Sequence, residues 1–293
     1  MKRLYIACLV LASGWFFACG GAQAGITVTT SGDAEDLVDA IVGSGITIIP
    51  GTPSYTGAAT ASGFFNNGLA SGIGIQSGIL LTSGDASLAQ GNNTSDNHSG
   101  NNGLPGDADL DATLPSGYST NDATVLEFDF TTTSGNLYFN YVFASEEYNE
   151  WVNSEYNDVF AFFLDGTNIA LIPGTTTPVS VNSVNGGNPL GVDASHPEFF
   201  NNNDLSDGGP FYSFAFDGFT DVFTAQALDI GSGTHHIKLV IADSGDWTLD
   251  SGIFIQGGTF SDNPMSPVPV PGALLLVGIG TGLVGWLRRQ RLL

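Results

Sequence analysis

The chain has 293 residues, with 29 Asp and Glu against 6 Lys and Arg. Lys2 and Arg3 lie at one end and Arg288, Arg289 and Arg291 at the other. All the acids fall between Asp33 and Asp262, where Lys238 is the sole Lys or Arg. So acidic a body repels phosphates and anionic headgroups, which argues against nucleic acid as a partner. A hydrophobic fraction of 42% with 20 Phe is too high for an acidic disordered chain, and 40 Gly point to many turns between strands.

Met1 to Ala24 reads as a secretory signal peptide. Lys2 and Arg3 form its charged start, Leu4 to Ala18 its apolar run, and Ala22-Gln23-Ala24 a small-x-small cleavage site before Gly25. Both cysteines, Cys8 and Cys19, lie in this leader, so the mature chain is expected to hold no disulfide and no thiolate metal site.

Asp33 to Val42 is the one clear helix. Asp33 caps it, Glu35 and Asp36 suit its positive end, Leu37, Ala40 and Ile41 make an apolar stripe, and Gly43 ends it. From Ile46 onward the period is two. Thr124–Thr131 sets Leu126, Phe128 and Phe130 on one face; Leu137–Phe143 alternates similarly; Val159–Leu164 is apolar on both faces. Asn168–Ile172, Val179–Val184, Phe219–Phe223, His235–Ala242 and Ile253–Gln256 continue the series. The expected fold is mostly β, a β-sandwich of jelly-roll type, with one domain over residues 25–261. Gln90–Gly103 and Asn182–Gly209 are too rich in Asn and Gly to be strands and are the natural binding loops.

Three acidic groups are candidates for a hard cation, Ca²⁺ above all. Asp107, Asp109 and Asp111 alternate as in a calcium loop, although Ala112 and Tyr118 stand where an EF-hand needs Gly and Glu. Glu146 and Glu147 end one strand, with Glu150, Glu155 and Asp158 close behind, and Asp243, Asp246 and Asp250 follow another. With Lys238 alone as a basic partner, those that are buried need a divalent ion; those that are not form a solvated surface. For a glycosidase, Glu146 and Glu147 make a poor pair unless the strand has ended, since strand neighbours point to opposite faces, whereas Glu147 with Asp158 or Asp243 could have the right separation. His235 and His236, adjacent in a strand, should not chelate together. Asn92, Asn93 and Asn97 begin N-x-Ser/Thr triplets, a weak signal. Trp151, Tyr156 and Trp247 are candidates for stacking on sugar rings, against the plainer alternative of core packing.

The C-terminal end begins with a Pro-rich linker, residues 262–271, closing on Val268-Pro269-Val270-Pro271. Gly272 to Leu287 follows without a charge, then Arg288-Arg289-Gln290-Arg291. Sixteen helical residues reach only about 24 Å, short of the roughly 30 Å bilayer core. The Arg cluster would hold its end in the cytoplasm and leave the body outside the inner membrane. This three-part tail resembles the PEP-CTERM sorting signal of Gram-negative bacteria, with Val270 in place of the usual Glu. The resemblance implies processing by an exosortase; a plain anchor is the alternative.

Val142-Phe143-Ala144-Ser145-Glu146-Glu147-Tyr148, Tyr156-Asn157-Asp158-Val159-Phe160-Ala161-Phe162-Phe163-Leu164 and Asn168-Ile169-Ala170-Leu171-Ile172-Pro173-Gly174-Thr175 together resemble the choice-of-anchor L family. Tyr212–Ala225 and His236–Asp243 through Asp250–Phe254 fit the same pattern, so the likeness covers most of Ile26–Phe260. It implies an exported bacterial surface domain, often associated with the envelope or a polysaccharide matrix, and supplies no catalytic residue. The expected function is therefore a non-enzymatic adhesive or carbohydrate-binding surface protein stabilised by Ca²⁺. Its processing partners are signal peptidase and exosortase. A carbohydrate-active hydrolase using paired carboxylates is the alternative.

Overall fold

Alternating apolar residues and frequent turn glycines give two antiparallel sheets. The computed structural model describes residues 24–154 and 156–265. Its strands are β1 (Thr27–Thr30), β2 (Ile46–Ile48), β3 (Ser54–Thr56), β4 (Ser62–Asn66), β5 (Gly78–Thr82), β6 (Thr120–Thr132) and β7 (Leu137–Ser145). These are followed by β8 (Val159–Leu164), β9 (Thr167–Asn168), β10 (Phe200–Asn202), β11 (Gly218–Thr220), β12 (Phe223–Ala227), β13 (Thr234–Ser244) and β14 (Ser251–Gln256). One sheet runs β1-β4-β5-β14-β7-β11-β10, with β12 beside β11 along β7; the other runs β2-β6-β13-β8-β9, with β3 beside β2 along β6.

The inner faces meet as the alternation requires. Leu126, Phe128 and Phe130 from β6, Phe160 and Phe162 from β8, and Leu239 and Ile241 from β13 pack on Phe139, Tyr141 and Phe143 of β7 and Ile253 and Ile255 of β14. Phe139 and Tyr141 both contact Phe162 across the gap at 4.9 Å between ring centres. Each such buried aromatic contributes about 1.5–3 kcal/mol. The outer faces are covered as well. Leu80, Val142 and Phe254 lie under Phe214 and Phe216, while Val125, Ala161 and Val240 lie with Leu110. That double burial explains why Val159–Leu164 is apolar on both faces.

The helix α1 (Ala34–Ile41) forms as expected, with the Asp33 carboxylate accepting the Asp36 amide at 3.1 Å. Its buried stripe is Leu37, Val38 and Ile41; Ala40 is only half-buried. Gly43 follows the helix because its backbone lies against the Gly258 carbonyl, where a Cβ has no room.

Two expected strands are corrected. Of Asn168–Ile172 only Asn168 lies in a strand, as the second residue of β9. The Asn168 side chain takes the amides of Phe162 (3.1 Å) and Ala170 (2.9 Å), so the ladder stops there. Val179–Val184 forms no strand, because the Ser183 hydroxyl takes the Ser180 amide and the Ser180 carbonyl takes those of Ser183 and Val184, closing a turn. Its valines are still buried in the core. Conversely, the loop Asn182–Gly209 contains a short helical turn, Pro197–Phe199, and the edge strand β10. Phe219–Phe223 splits into β11 and the start of β12.

The leader and the hydrophobic tail lie outside the described residues. Among the described residues no helix is long and apolar enough to cross a membrane.

Candidate metal centre at the acidic end of the sandwich

Antiparallel pairing brings the last residues of β5, β7 and β13 to the same end as the first residues of β6, β8, β11 and β14. Ser145 pairs with Ser251 and with Gly218, Thr82 with Gly252, Ser244 with Thr120, and Ala242 with Val159. All of these strand ends except that of β5 carry an acid in or beside their last turn of the ladder: Asp122, Glu146, Glu147, Asp158, Asp217, Asp243 and Asp250, all buried. The Ser251 hydroxyl ties the two sheets together here, donating to Asp158 Oδ2 at 2.7 Å and lying 2.8 Å from the Ser145 hydroxyl.

Backbone amides hold some of these carboxylates. The second half of the loop Gln90–Gly103 runs across the end, with alternate amides from His98 onward pointing inward. His98 N–H donates to Glu146 (3.2 Å), Gly100 N–H to both oxygens of Asp250 (2.9 Å each) and Asn102 N–H to Asp122 (2.8 Å), and Leu104 N–H follows onto Asp122. Asp122 sits where the β6–β13 register slips between Ile241 and Asp243, at φ 49°, and the bulge turns its carboxylate toward the loop. Asp250 fits into the space left by Gly84, where any Cβ would meet the carboxyl group. Burial, partly offset by these amides, pushes the Asp250 carboxyl up to about 6.

A second set is less well supplied. Glu147 is 1% exposed and neither of its carboxylate oxygens has a hydrogen-bond partner. Asp158 and Asp243 are its electrostatic neighbours. Asp158 accepts the Ser244 amide at 3.0 Å and the Ser251 hydroxyl, whereas Asp243 Oδ1 is unpartnered. Burial, then Asp246, Asp243 and Glu150, push the Glu147 carboxyl up to about 9. Asp158 and Asp243 are likewise held well above the usual carboxylate range, first by burial and then by a neighbouring acid, Glu147 for Asp158 and Asp158 for Asp243. The sole Lys or Arg among the described residues is elsewhere, and the oxygens of these three acids are not among those that already converge within 4.8 Å of one another, so each stays protonated unless a cation draws them together. Oxygen-only ligands from irregular strand ends are the chemistry of Ca²⁺.

Strand β7 has ended at Ser145, yet Glu146 and Glu147 still meet different neighbours. Glu146 faces Asp217, Asp96 and Glu150, with its Oε1 unpartnered. Asp217 is pushed up to about 10, by burial first and then by Glu146. The sequence reading missed Asp217, Asp122, Asp96 and Asp204. An acid immediately before a strand was the available signal for Asp217, since Asp158 and Asp250 share that pattern.

The other candidates disperse. Asp107 caps the short helix Ala108–Asp111 by accepting the Asp109 and Leu110 amides. Asp107 and Asp109 then pair with Lys238 at 2.7 and 2.6 Å, and Asp111 accepts the Thr120 amide and hydroxyl. A lysine therefore stands where the spacing suggested a metal; Asp111 touches Thr120 at the start of β6, but none of the three is among the buried carboxylates. Asp246 is half-buried and spends its oxygens on the Thr248 amide and hydroxyl. His235 and His236 diverge to Asp165 and Asp129, each at 2.7 Å. Asn93 is buried, its side-chain amide donating to the Asn203 carbonyl, which removes it as a glycan acceptor.

The aromatic candidates are not core residues. Trp151 is 42% and Trp247 45% exposed, and Tyr156 packs edge-on to Trp151 with ring centres 5.2 Å apart. Tyr156 also lines a cleft of about 260 Å³ with Tyr118, Ser119 and Gly245. The carboxyls suited to a glycosidase fare differently. Glu147, Asp158 and Asp243 are each no more than 1% exposed, leaving no room for a glycosidic bond between them.

Fold and site together define a two-sheet antiparallel domain with one end built of buried carboxylates. The choice-of-anchor L domain model matches residues 27–261, and the chain belongs to that family, whose members are exported, surface-associated proteins. No curated protein and no solved structure matches it.

Proposed function

We propose that this chain is a non-enzymatic surface or matrix domain of a Gram-negative bacterium, closed at its acidic end by Ca²⁺ and displaying aromatic residues to extracellular polysaccharide. Glu147, Asp158 and Asp243 are the ligands of the inner ion. One observation carries this reading: a fully buried Glu147 whose two carboxylate oxygens have no partner, beside two more buried acids, with Lys238 committed to Asp107 and Asp109. Trp151 and Trp247 directly follow Glu150 and Asp246, so the exposed rings come from the loops at this end. They supply flat apolar area of the kind that stacks on sugar rings.

In this reading residues 1–24 direct export and signal peptidase removes them. The tail holds the chain transiently in the inner membrane until an exosortase acts on the Val268–Pro271 motif.

The test is a thermal melt of the purified chain in EDTA and in millimolar Ca²⁺. A ligand that binds the native state at a hundred times its Kd adds about 2.7 kcal/mol. That corresponds to a rise of roughly 5–10 °C for a domain of this size. Coincident curves would overturn the calcium reading. Polysaccharide retention that survives Trp151→Ala and Trp247→Ala together would overturn the aromatic one.

A further inference from the structure

The acids outside the inner set meet at another point. Asp96 belongs to the loop Gln90–Gly103, Asp204 to the loop Asn182–Gly209, and Glu150 to the connection between β7 and β8. Each offers an oxygen, and the three oxygens lie within 4.8 Å of one another. Ligands of one Ca²⁺, at about 2.3–2.6 Å from the ion, span such distances.

Proximity of acids alone would not make a site. Here Asp204 is 1% exposed, and its Oδ2 is buried without a hydrogen-bond partner. Its other oxygen is occupied by the Ser206 amide at 2.6 Å. Asn149, next to Glu150, is 2% exposed and leaves its side-chain carbonyl oxygen unpartnered too. Asp96 Oδ1 is a third buried oxygen without a donor. A buried oxygen left without a donor forfeits its hydration with nothing in return, so three in one place, two of them on carboxylates, point to a missing positive group.

The surroundings hold these groups in position. The Asn203 side chain is fully buried and makes four backbone contacts, to the amides of Phe211 and Tyr212 and the carbonyls of Phe214 and Phe216. Asp204 therefore sits on a fixed backbone. The Ser206 hydroxyl donates to Asp96 Oδ2 at 3.1 Å, linking the two loops directly. The Asn149 amide donates to Asp207 at 2.9 Å.

We propose that Asp96, Glu150 and Asp204 form a second Ca²⁺ site, a clasp that pins the two Asn/Gly-rich loops to each other and to the β7–β8 connection. It shares no ligand with Glu147, Asp158 and Asp243. Glu150 is exposed, so the ion is open to solvent on that side and water completes its shell. Trp151 is the next residue, so occupancy of the clasp fixes the backbone that carries this exposed ring.

Calcium titration calorimetry and amide hydrogen exchange on the purified chain test the clasp, using wild type, Glu150→Gln, Asp204→Asn and Glu147→Gln. Ca²⁺ should slow exchange in both loops of the wild type. Glu150→Gln should lose one bound ion per chain together with that loop protection, while keeping the inner ion; Glu147→Gln should lose the other ion and keep the loop protection. Asp204→Asn should behave as Glu150→Gln. If Asp204→Asn does not fold, the exposed Glu150→Gln decides. Unchanged stoichiometry and loop exchange in Glu150→Gln would overturn the clasp. Loss of an ion in Glu147→Gln alone would overturn it while leaving the inner site standing, and the converse would leave only the clasp. A wild type that binds no Ca²⁺ overturns both.

Discussion

Replacing Glu147 by Gln should raise stability without calcium and lower the benefit of calcium. The side chain is fully buried, both carboxylate oxygens lack donors, and its carboxyl is pushed up to about 9 from an ordinary 4.5. In the folded, ion-free chain it is therefore protonated near neutrality, while in the unfolded chain it is ionised. The folded state then binds a proton that the unfolded state does not, and stability falls as pH rises from about 4.5 towards 9. At about pH 7.5 the gap of three units corresponds to an upper bound of about 4 kcal/mol. Gln has the same shape and no charge, so it removes this cost. In EDTA at that pH Glu147→Gln should melt roughly 5 °C or more above wild type. The difference should shrink as pH falls towards 5, where both carboxyl states converge. In millimolar Ca²⁺ the order should reverse, because only the wild type gains an anionic ligand for the ion. Melting followed by near-ultraviolet circular dichroism, at both pH values and with both additives, reads all four states. A variant that melts below wild type in EDTA near pH 7.5 would refute the reasoning.

Three other substitutions probe the fold around the site. Tyr141→Phe removes a hydroxyl that is fully buried with no hydrogen-bond partner, and should leave stability unchanged or raise it by about 1 kcal/mol; a loss of more than that in urea unfolding would mean the hydroxyl is satisfied. Gly84→Ala places a Cβ against the Asp250 carboxyl and should cost about 1–3 kcal/mol and loosen the Gly100 amide in hydrogen exchange. Lys238→Met should cost about 1 kcal/mol at low salt, and less at high salt, by unpairing Asp107 and Asp109. Calcium stoichiometry should be unchanged in Lys238→Met, since Lys238 pairs with Asp107 and Asp109 and with none of the proposed ligands.

The sequence carried the strands wherever one physical pattern governed them. Leu126, Phe128 and Phe130 alternate because one face of β6 is buried, and Val159–Leu164 is uniformly apolar because both faces of β8 are. Asn168–Ile172 and Val179–Val184 show the limit. Their apolar residues are core residues, yet local bonds from Asn168, Ser180 and Ser183 decide the backbone path, and hydrophobicity is blind to those bonds. Trp151 and Trp247 show it from the other side, since an aromatic residue in a loop looks the same in sequence whether it ends up covered or exposed.

The sequence by itself determined the charge imbalance, the β-rich class, α1 and the family pattern, because composition and period are local properties of the chain. It also determined that most acids must lack a basic partner, since Lys238 has at most a few neighbours. Only the tertiary structure decided which acids those are. Asp107, Asp109 and Asp111 have the alternating spacing of a cation loop, yet pair with Lys238 and a helix start, while Asp96, Glu150 and Asp204, far apart in sequence, bring their oxygens within 4.8 Å of one another. Burial and long-range pairing set the cost of a carboxylate, and both arise only when strands from distant parts of the chain end side by side.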